Sequence, residues 1–186
     1  VHGIDDIRAL SDRTRLPIDM YGPPDTMERL AKRFPYIFDD SIKALPGTSK
    51  PEGRAHPVLP GKSFRVGDVD VMPVAVPHGP ALVYGYRIGK LGYVTDAKEL
   101  PEEALAAFRG VTVLVLNALF RTPHPTHLSI SEAVSAARQV GARQTWLTPL
   151  THRTGPADLE AELPHGIAPA FDGPTGALDF TGAPPR

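Results

Sequence analysis

Three segments of this sequence end an apolar run on residues that can bind a cation or move a proton. VAVPHGP stops at His78, GYVTDAKEL stops at Asp96, and RQTWLTPLTH runs from Thr148 to His152. Catalytic groups collect where strands stop and loops begin, because the sheet fixes their position while the loop leaves them open to substrate. Taken singly, each has a plainer reading. A lone histidine after a strand is commonly a loop or capping residue, and an aspartate ahead of a helix is commonly its N-cap.

The elements that must position these residues are legible as patterns. A short helical stretch is expected near Ile4 to Leu10. In PDTMERLAKRF, Asp25 is read as an N-cap with Glu28 three residues later, and Met27, Leu30, Ala31 and Phe34 share a helical face. From Phe64 the pattern changes to strands: FRVGDVDVMPVAV, ALVYGYRIG and KLGYVTD are rich in Val and Tyr and separated by Gly and Pro. The second half alternates. PEEALAAFRG reads as a helix with Pro101 in its first turn and Gly110 as its stop, and VTVLVLNAL as a strand buried on both faces. SISEAVSAARQVG carries Ser129 and Glu132 as a capping box, with Gly141 as terminator. RQTWLT, PADLEAEL and IAPAF then read as strand, helix and strand, and the whole as an α/β layered class.

The chain has 186 residues, enough for one domain with a sizeable core, and residues 1–186 are read as a single domain with 175–186 as a tail. Lys and Arg total 20 against 21 Asp and Glu, a net charge of -1. That balance supplies none of the positive field that nucleic-acid backbones select, so no nucleic-acid partner is expected. There is no cysteine, which excludes disulfide frameworks, thiolate metal sites and cysteine nucleophiles and fits a cytoplasmic location. No apolar run is long enough to insert in a membrane. Proline is frequent, at 21 residues, and punctuates turns; the Pro- and Gly-rich loop 39–62 is read as either a lid over a pocket or a contact surface.

With their flanks, VPHGP, YVTDAKELPEEAL, VLVLNALFRTPHPTHLSISEA and TWLTPLTHRTGPADLEAELPHGIAPAFDG resemble, in order, the motifs of metallo-β-lactamase-fold hydrolases. The resemblance runs from Val1 to about Gly173. Its nearest subgroup includes the phosphodiesterase accessory to carbon–phosphorus lyase. It implies an αββα sandwich with two divalent metals, zinc or manganese, at one edge of the sheets. It also implies that His78 matches a metal ligand and Asp96 a carboxylate bridging the two ions. His127, in HPTHLS, matches a histidine near the scissile phosphate that is suited to protonate a leaving group. The plainer reading of His127 is a loop histidine beside the Ser129 cap.

The sequence departs from that family in two places. The HxHxDH motif, which supplies four ligands, is absent, and the opening VHGIDDIRAL resembles the segment that follows it. The family's LTH ligand is replaced, because the matching segment reads Leu147, Thr148, Pro149 and proline offers no side-chain donor. His152 matches a second, non-ligand histidine. His78 and Asp96 then stand as vestigial ligands, too few to hold a zinc or manganese ion, so no metal cofactor is expected as given. The sequence is therefore read as an N-terminally truncated, degenerate fold serving as a structural or interaction subunit. Another protein chain is expected to cover the shortened sheet edge. The alternative is a fragment of a metal-dependent phosphodiesterase.

Overall fold

A computed structural model describes residues 3–148, 155–173 and 175. The chain divides into two units, Val1–Leu59 and Pro60–Arg186. In the first, a 3₁₀ turn, Ile4–Asp6, leads into helix α1, Ile7–Thr14. Strand β1, Ile18–Gly22, helix α2, Pro24–Arg33, helix α3, Pro35–Phe38, and strand β2, Gly53–Pro57, follow.

One expectation needs correction here. Asp25 does not cap α2. Pro23 occupies the N-cap position with no side-chain bond, and Pro24 begins the helix. Proline's fixed φ and missing N–H suit the first turn, which moves Asp25 inside the helix near its positive end. Strands β1 and β2 are absent from the sequence reading. They pair in parallel, Ile18 opposite Gly53 through Gly22 opposite Pro57, so residues Gly53–Pro57 of the 39–62 segment form a strand.

The second unit is built on a seven-stranded sheet. Its strands are β3, Phe64–Val66; β4, Val69–His78; β5, Ala81–Ile88; β6, Leu91–Val94; β7, Val113–Leu116; β8, Gln144–Leu147; and β9, Ile167–Pro169. Spatial order follows chain order. Pairing is antiparallel from β3 to β6 and parallel from β6 to β9. The segment read as FRVGDVDVMPVAV is a hairpin, because Gly67, at φ 58, turns the chain between β3 and β4. Strand β5 runs against its neighbours, so β4, β6, β7 and β8 all end at one edge of the sheet.

Helices α4, Glu102–Phe108, and α5, Ile130–Val140, pack on one face. Helix α6, Pro156–Glu162, precedes β9. Ala104, Leu105 and Phe108 of α4 join Ala133, Ala137 and Val140 of α5 over Val74, Val76, Val94, Leu114 and Leu116. Phe108 seats on a glycine: a Cβ at Gly92 would stand 3.0 Å from its ring and 2.9 Å from Leu114. The expected capping box is present, with Ser129 and Glu132 bonded reciprocally.

Arg87, on β5, is buried on this face at 2% exposure. Its guanidinium donates to the carbonyls of Gly89 at 3.1 Å, Ala107 at 2.8 Å and Arg109 at 2.7 Å. The last two are the carbonyls that end α4, where a cation meets the negative end of the helix. Among the described residues no helix is long and apolar enough to cross a membrane.

Candidate metal centre

Three segments meet at the sheet edge where β4, β6 and β7 end. Each is tied to another by a backbone bond. Lys98 N donates to Pro77 O at 2.7 Å, and Leu128 N donates to Ala97 O at 2.8 Å. Asn117, fully buried just past β7, grips Ala97 from the other side. Its Oδ1 accepts from Ala97 N at 2.8 Å and its Nδ2 donates to Ala97 O at 2.9 Å. The residue after Asp96 is thus held at both of its backbone polar groups, and the carboxylate is fixed by its neighbour rather than by its own side chain alone.

His78, Asp96 and His127 converge here: one donor atom from each lies within 4.8 Å of the others. The rings of His78 and His127 meet edge to face, their centroids 4.7 Å apart. His127 Nε2 lies 3.4 Å from Asp96 Oδ1, and the other carboxylate oxygen accepts from Thr95 Oγ1 at 2.7 Å. His78 Nδ1 lies 2.8 Å from the carbonyl oxygen of Thr126. His127 Nδ1 lies 2.9 Å from Thr126 Oγ1, which also lies 3.2 Å from His124 Nδ1.

The loop carrying Thr126 presses against the end of β4. Gly79 has φ 60, and a Cβ there would stand 2.7 Å from Thr126 Cγ2. Only glycine accepts both that backbone angle and that approach. Lys98, two residues past Asp96, bonds Glu132 at 2.8 Å, and Glu132 also accepts from Ser129 N at 2.7 Å and Ser129 Oγ at 2.8 Å. The Lys98 ammonium and the Ser129 donors hold the Glu132 carboxyl down to about 2.

Of the residues singled out in the sequence, the structure brings His78, Asp96 and His127 together. Pro149 and His152 lie outside the described residues. Thr126, Asn117 and His124 were missed. PHPTHLS places Thr126 and His124 beside His127, but nothing in it says that Thr126 reaches β4.

The profile of a Beta-lactamase superfamily domain matches residues 1–149, most of the chain. The chain belongs to this superfamily. It is 29% identical over 187 residues to an octanoyltransferase of Porphyromonas gingivalis, covering 98% of this chain and 36% of that protein. A solved diphosphatase of the PhnP family is 31% identical, with a TM-score of 0.80 over 92% of this chain and 63% of its own. Zn(2+)-bound PqqB from Methylobacterium extorquens shares the fold at 16% identity and a TM-score of 0.67, covering 92% of this chain and 68% of its own. The chain therefore spans 36% of the octanoyltransferase and 63% of the diphosphatase. These matches establish the α/β metallo-β-lactamase fold and a hydrolase-like superfamily member.

The superfamily resemblance implies a pair of cations, and the described donors can be tested against it. His78, Asp96 and His127 are the one group of this kind among the described residues. Three donors suit one cation with an open coordination position; they fall short of a pair.

Proposed function

We propose that this chain is a metal-dependent phosphoester hydrolase module, with His78, Asp96 and His127 at its reaction centre. The observation that carries this reading is their convergence at the ends of three strands, held by backbone and outer hydrogen bonds. The 31% identity to a diphosphatase supports a phosphoryl substrate class. A divalent cation there supplies Lewis acidity toward a phosphoryl oxygen and acidifies water. The chain's own part is to fix three donors and leave an open side for substrate.

The test is hydrolysis of bis(p-nitrophenyl) phosphate by the purified chain with added zinc or manganese, against His78→Ala and Asp96→Asn. Turnover that both substitutions abolish is the expected result. Turnover equal in the wild type and both variants, or none with metal demonstrably bound, would sink the reading.

A second reading keeps the scaffold as a non-catalytic interaction subunit, and the other face of the large sheet favours it. Leu82 and Tyr93 lie on the face opposite the helices and are 64% and 45% exposed, and Tyr93 pairs with half-buried Val115, which pairs with half-buried Trp146. A protein partner covering that face would bury apolar and aromatic surface. Light scattering of the chain alone and with co-purifying protein measures it; a monomer that binds nothing and turns over substrate removes this second reading.

A further inference from the structure

We propose that the first unit carries a binding site for a small zwitterion, a molecule with one anionic head and one ammonium group, in the cavity walled by the end of α1, the 39–52 segment and the start of β2. The site shares no residue with the cluster at the strand ends, and its binding is measured without turnover, so it stands or falls apart from the hydrolytic reading.

The cavity measures about 610 Å³, a size that suits a small molecule. Its wall is pinned across the chain. Ser49 Oγ donates to Asp12 Oδ2 at 2.6 Å, which joins the 39–52 segment to α1, and Glu52 N donates to Ser11 Oγ at 3.3 Å, which joins α1 to the residue before β2. Between them, Thr48 N donates to Leu45 O at 3.0 Å across a turn that carries Gly47 at φ 77.

Three cations line this cavity without a carboxylate partner. Arg15 makes no side-chain hydrogen bond or ion pair among the described residues. Lys43 Nζ donates to Asp40 O at 2.6 Å, and half-buried Lys50 donates from Nζ to Tyr36 O at 2.9 Å, so each ammonium is aimed by a neutral carbonyl that leaves its charge uncancelled. Asp39 feels both ammoniums, but its Oδ1 is taken by Ser41 N at 2.8 Å and Ser41 Oγ at 2.6 Å. A half-buried charge is unfavourable until a counter-ion is supplied. Arg15 gives a second, independent sign. It closes α1 at φ 58 and ψ 26, and it is the one non-glycine residue at positive φ among the described residues. Glycine commonly fills that place because a Cβ is strained there, and strained residues cluster where a side chain has a task.

The same wall holds carboxylates. Asp12 is engaged by Ser49, but the side chains of Asp40 and Glu52 have no partner among the described residues. Arg54, the fourth cation of the wall, is already paired with Asp19 at 3.3 Å. Cations and carboxylates therefore share one cavity without pairing with each other. A simple anion would be drawn by the first set and repelled by the second, and a simple cation the reverse. A ligand bearing both signs satisfies both. The Arg15 fork suits a carboxylate or phosphate, Lys43 and Lys50 act on the same head as point charges, and Asp40 and Glu52 accept from an ammonium.

The experiment is calorimetry and NMR titration of the full chain with O-phosphoethanolamine, β-alanine, inorganic phosphate and ethanolamine. One zwitterion per chain is expected, bound at least about tenfold tighter than phosphate or ethanolamine alone. The tighter of the two zwitterions identifies the anionic head as phosphate or carboxylate. Arg15→Gly relieves the strained backbone and removes the fork, so it should raise Tm and yet weaken zwitterion binding by about tenfold or more. The double substitution Asp40→Asn with Glu52→Gln should invert the preference, weakening the zwitterion while strengthening inorganic phosphate. Circular dichroism melts check that each variant folds. No saturable binding of either zwitterion, phosphate bound by the wild type as tightly as O-phosphoethanolamine, or unchanged zwitterion affinity in folded Arg15→Gly or in the folded double variant would overturn the proposal.

Discussion

Replacing Asn117 by alanine removes an amide that grips both polar groups of one peptide, and the two losses are unequal. Ala97 O keeps a partner, because Leu128 N donates to it at 2.8 Å, so losing the Asn117 bond there costs about 0.5–1.5 kcal/mol. Ala97 N has Asn117 Oδ1 as its acceptor in a fully buried place, and orphaning it costs about 1–3 kcal/mol. The sum, about 1.5–4.5 kcal/mol, corresponds to a fall in Tm of roughly 3–18 °C for a chain of this size. Trp146, the single tryptophan, sits on β8 beside β7 and follows this unit alone in a fluorescence melt. Asn117→Asp separates the acceptor from the donor. An aspartate can accept from Ala97 N but, once ionised, has no hydrogen for Ala97 O. Burial favours its neutral form and raises its folded pKa, so the variant keeps its stability at acid pH and loses it as pH rises through that value. A Tm change below about 2 °C in Asn117→Ala, or an Asn117→Asp stability that does not improve on acidification, would refute the reasoning.

Three further outcomes are expected. Glu132 has a lowered folded pKa of about 2, so its contribution is present above its ordinary value of 4.5 and is lost as pH falls toward 2. The stability gap between wild type and Glu132→Gln, measured by urea melts across pH 2–6, should close over that window; because the carboxylate is partly exposed, the gap itself is modest. Arg87→Met should cost about 2–4 kcal/mol in chemical denaturation, because the α4 carbonyls of Ala107 and Arg109 lose a charged donor inside the core. Gly79→Ala should cost about 1–2 kcal/mol in chemical denaturation for the positive φ, with its Cβ also pressing on Thr126 Cγ2.

Much of this architecture was legible in the residues, and the failures have physical causes. The capping box of Ser129 and Glu132 depends on a spacing of three within one helix, so the sequence carries it whole. The strand ends at His78 and Asp96 were visible because apolar runs stop there. The Asp25 cap failed because two prolines precede it and Pro24 starts the helix one residue earlier. Strands β1 and β2 were invisible: IDMYG and GRAHP are short, carry Asp19, Arg54 and His56, and pair in parallel across more than thirty residues. The outer partners were harder still. Asn117 acts on a backbone 20 residues away and Thr126 on a ring 48 residues away, and a side chain that bonds a distant peptide leaves no local pattern. The approach of His127 to Asp96 is likewise a product of tertiary folding.

The charge buried at the end of α4 has one more consequence. A guanidinium stays protonated down to the strongest acid a protein meets, so the lock that Arg87 places on three carbonyls is blind to acidification. The tie between Lys98 and Glu132 is not, since it dissolves once its carboxylate takes a proton. Souring the solution thus slackens the mouth of the sheet while its far side stays clenched. Acid thus reaches the tie beside the His78, Asp96 and His127 cluster and leaves the Arg87 lock in place.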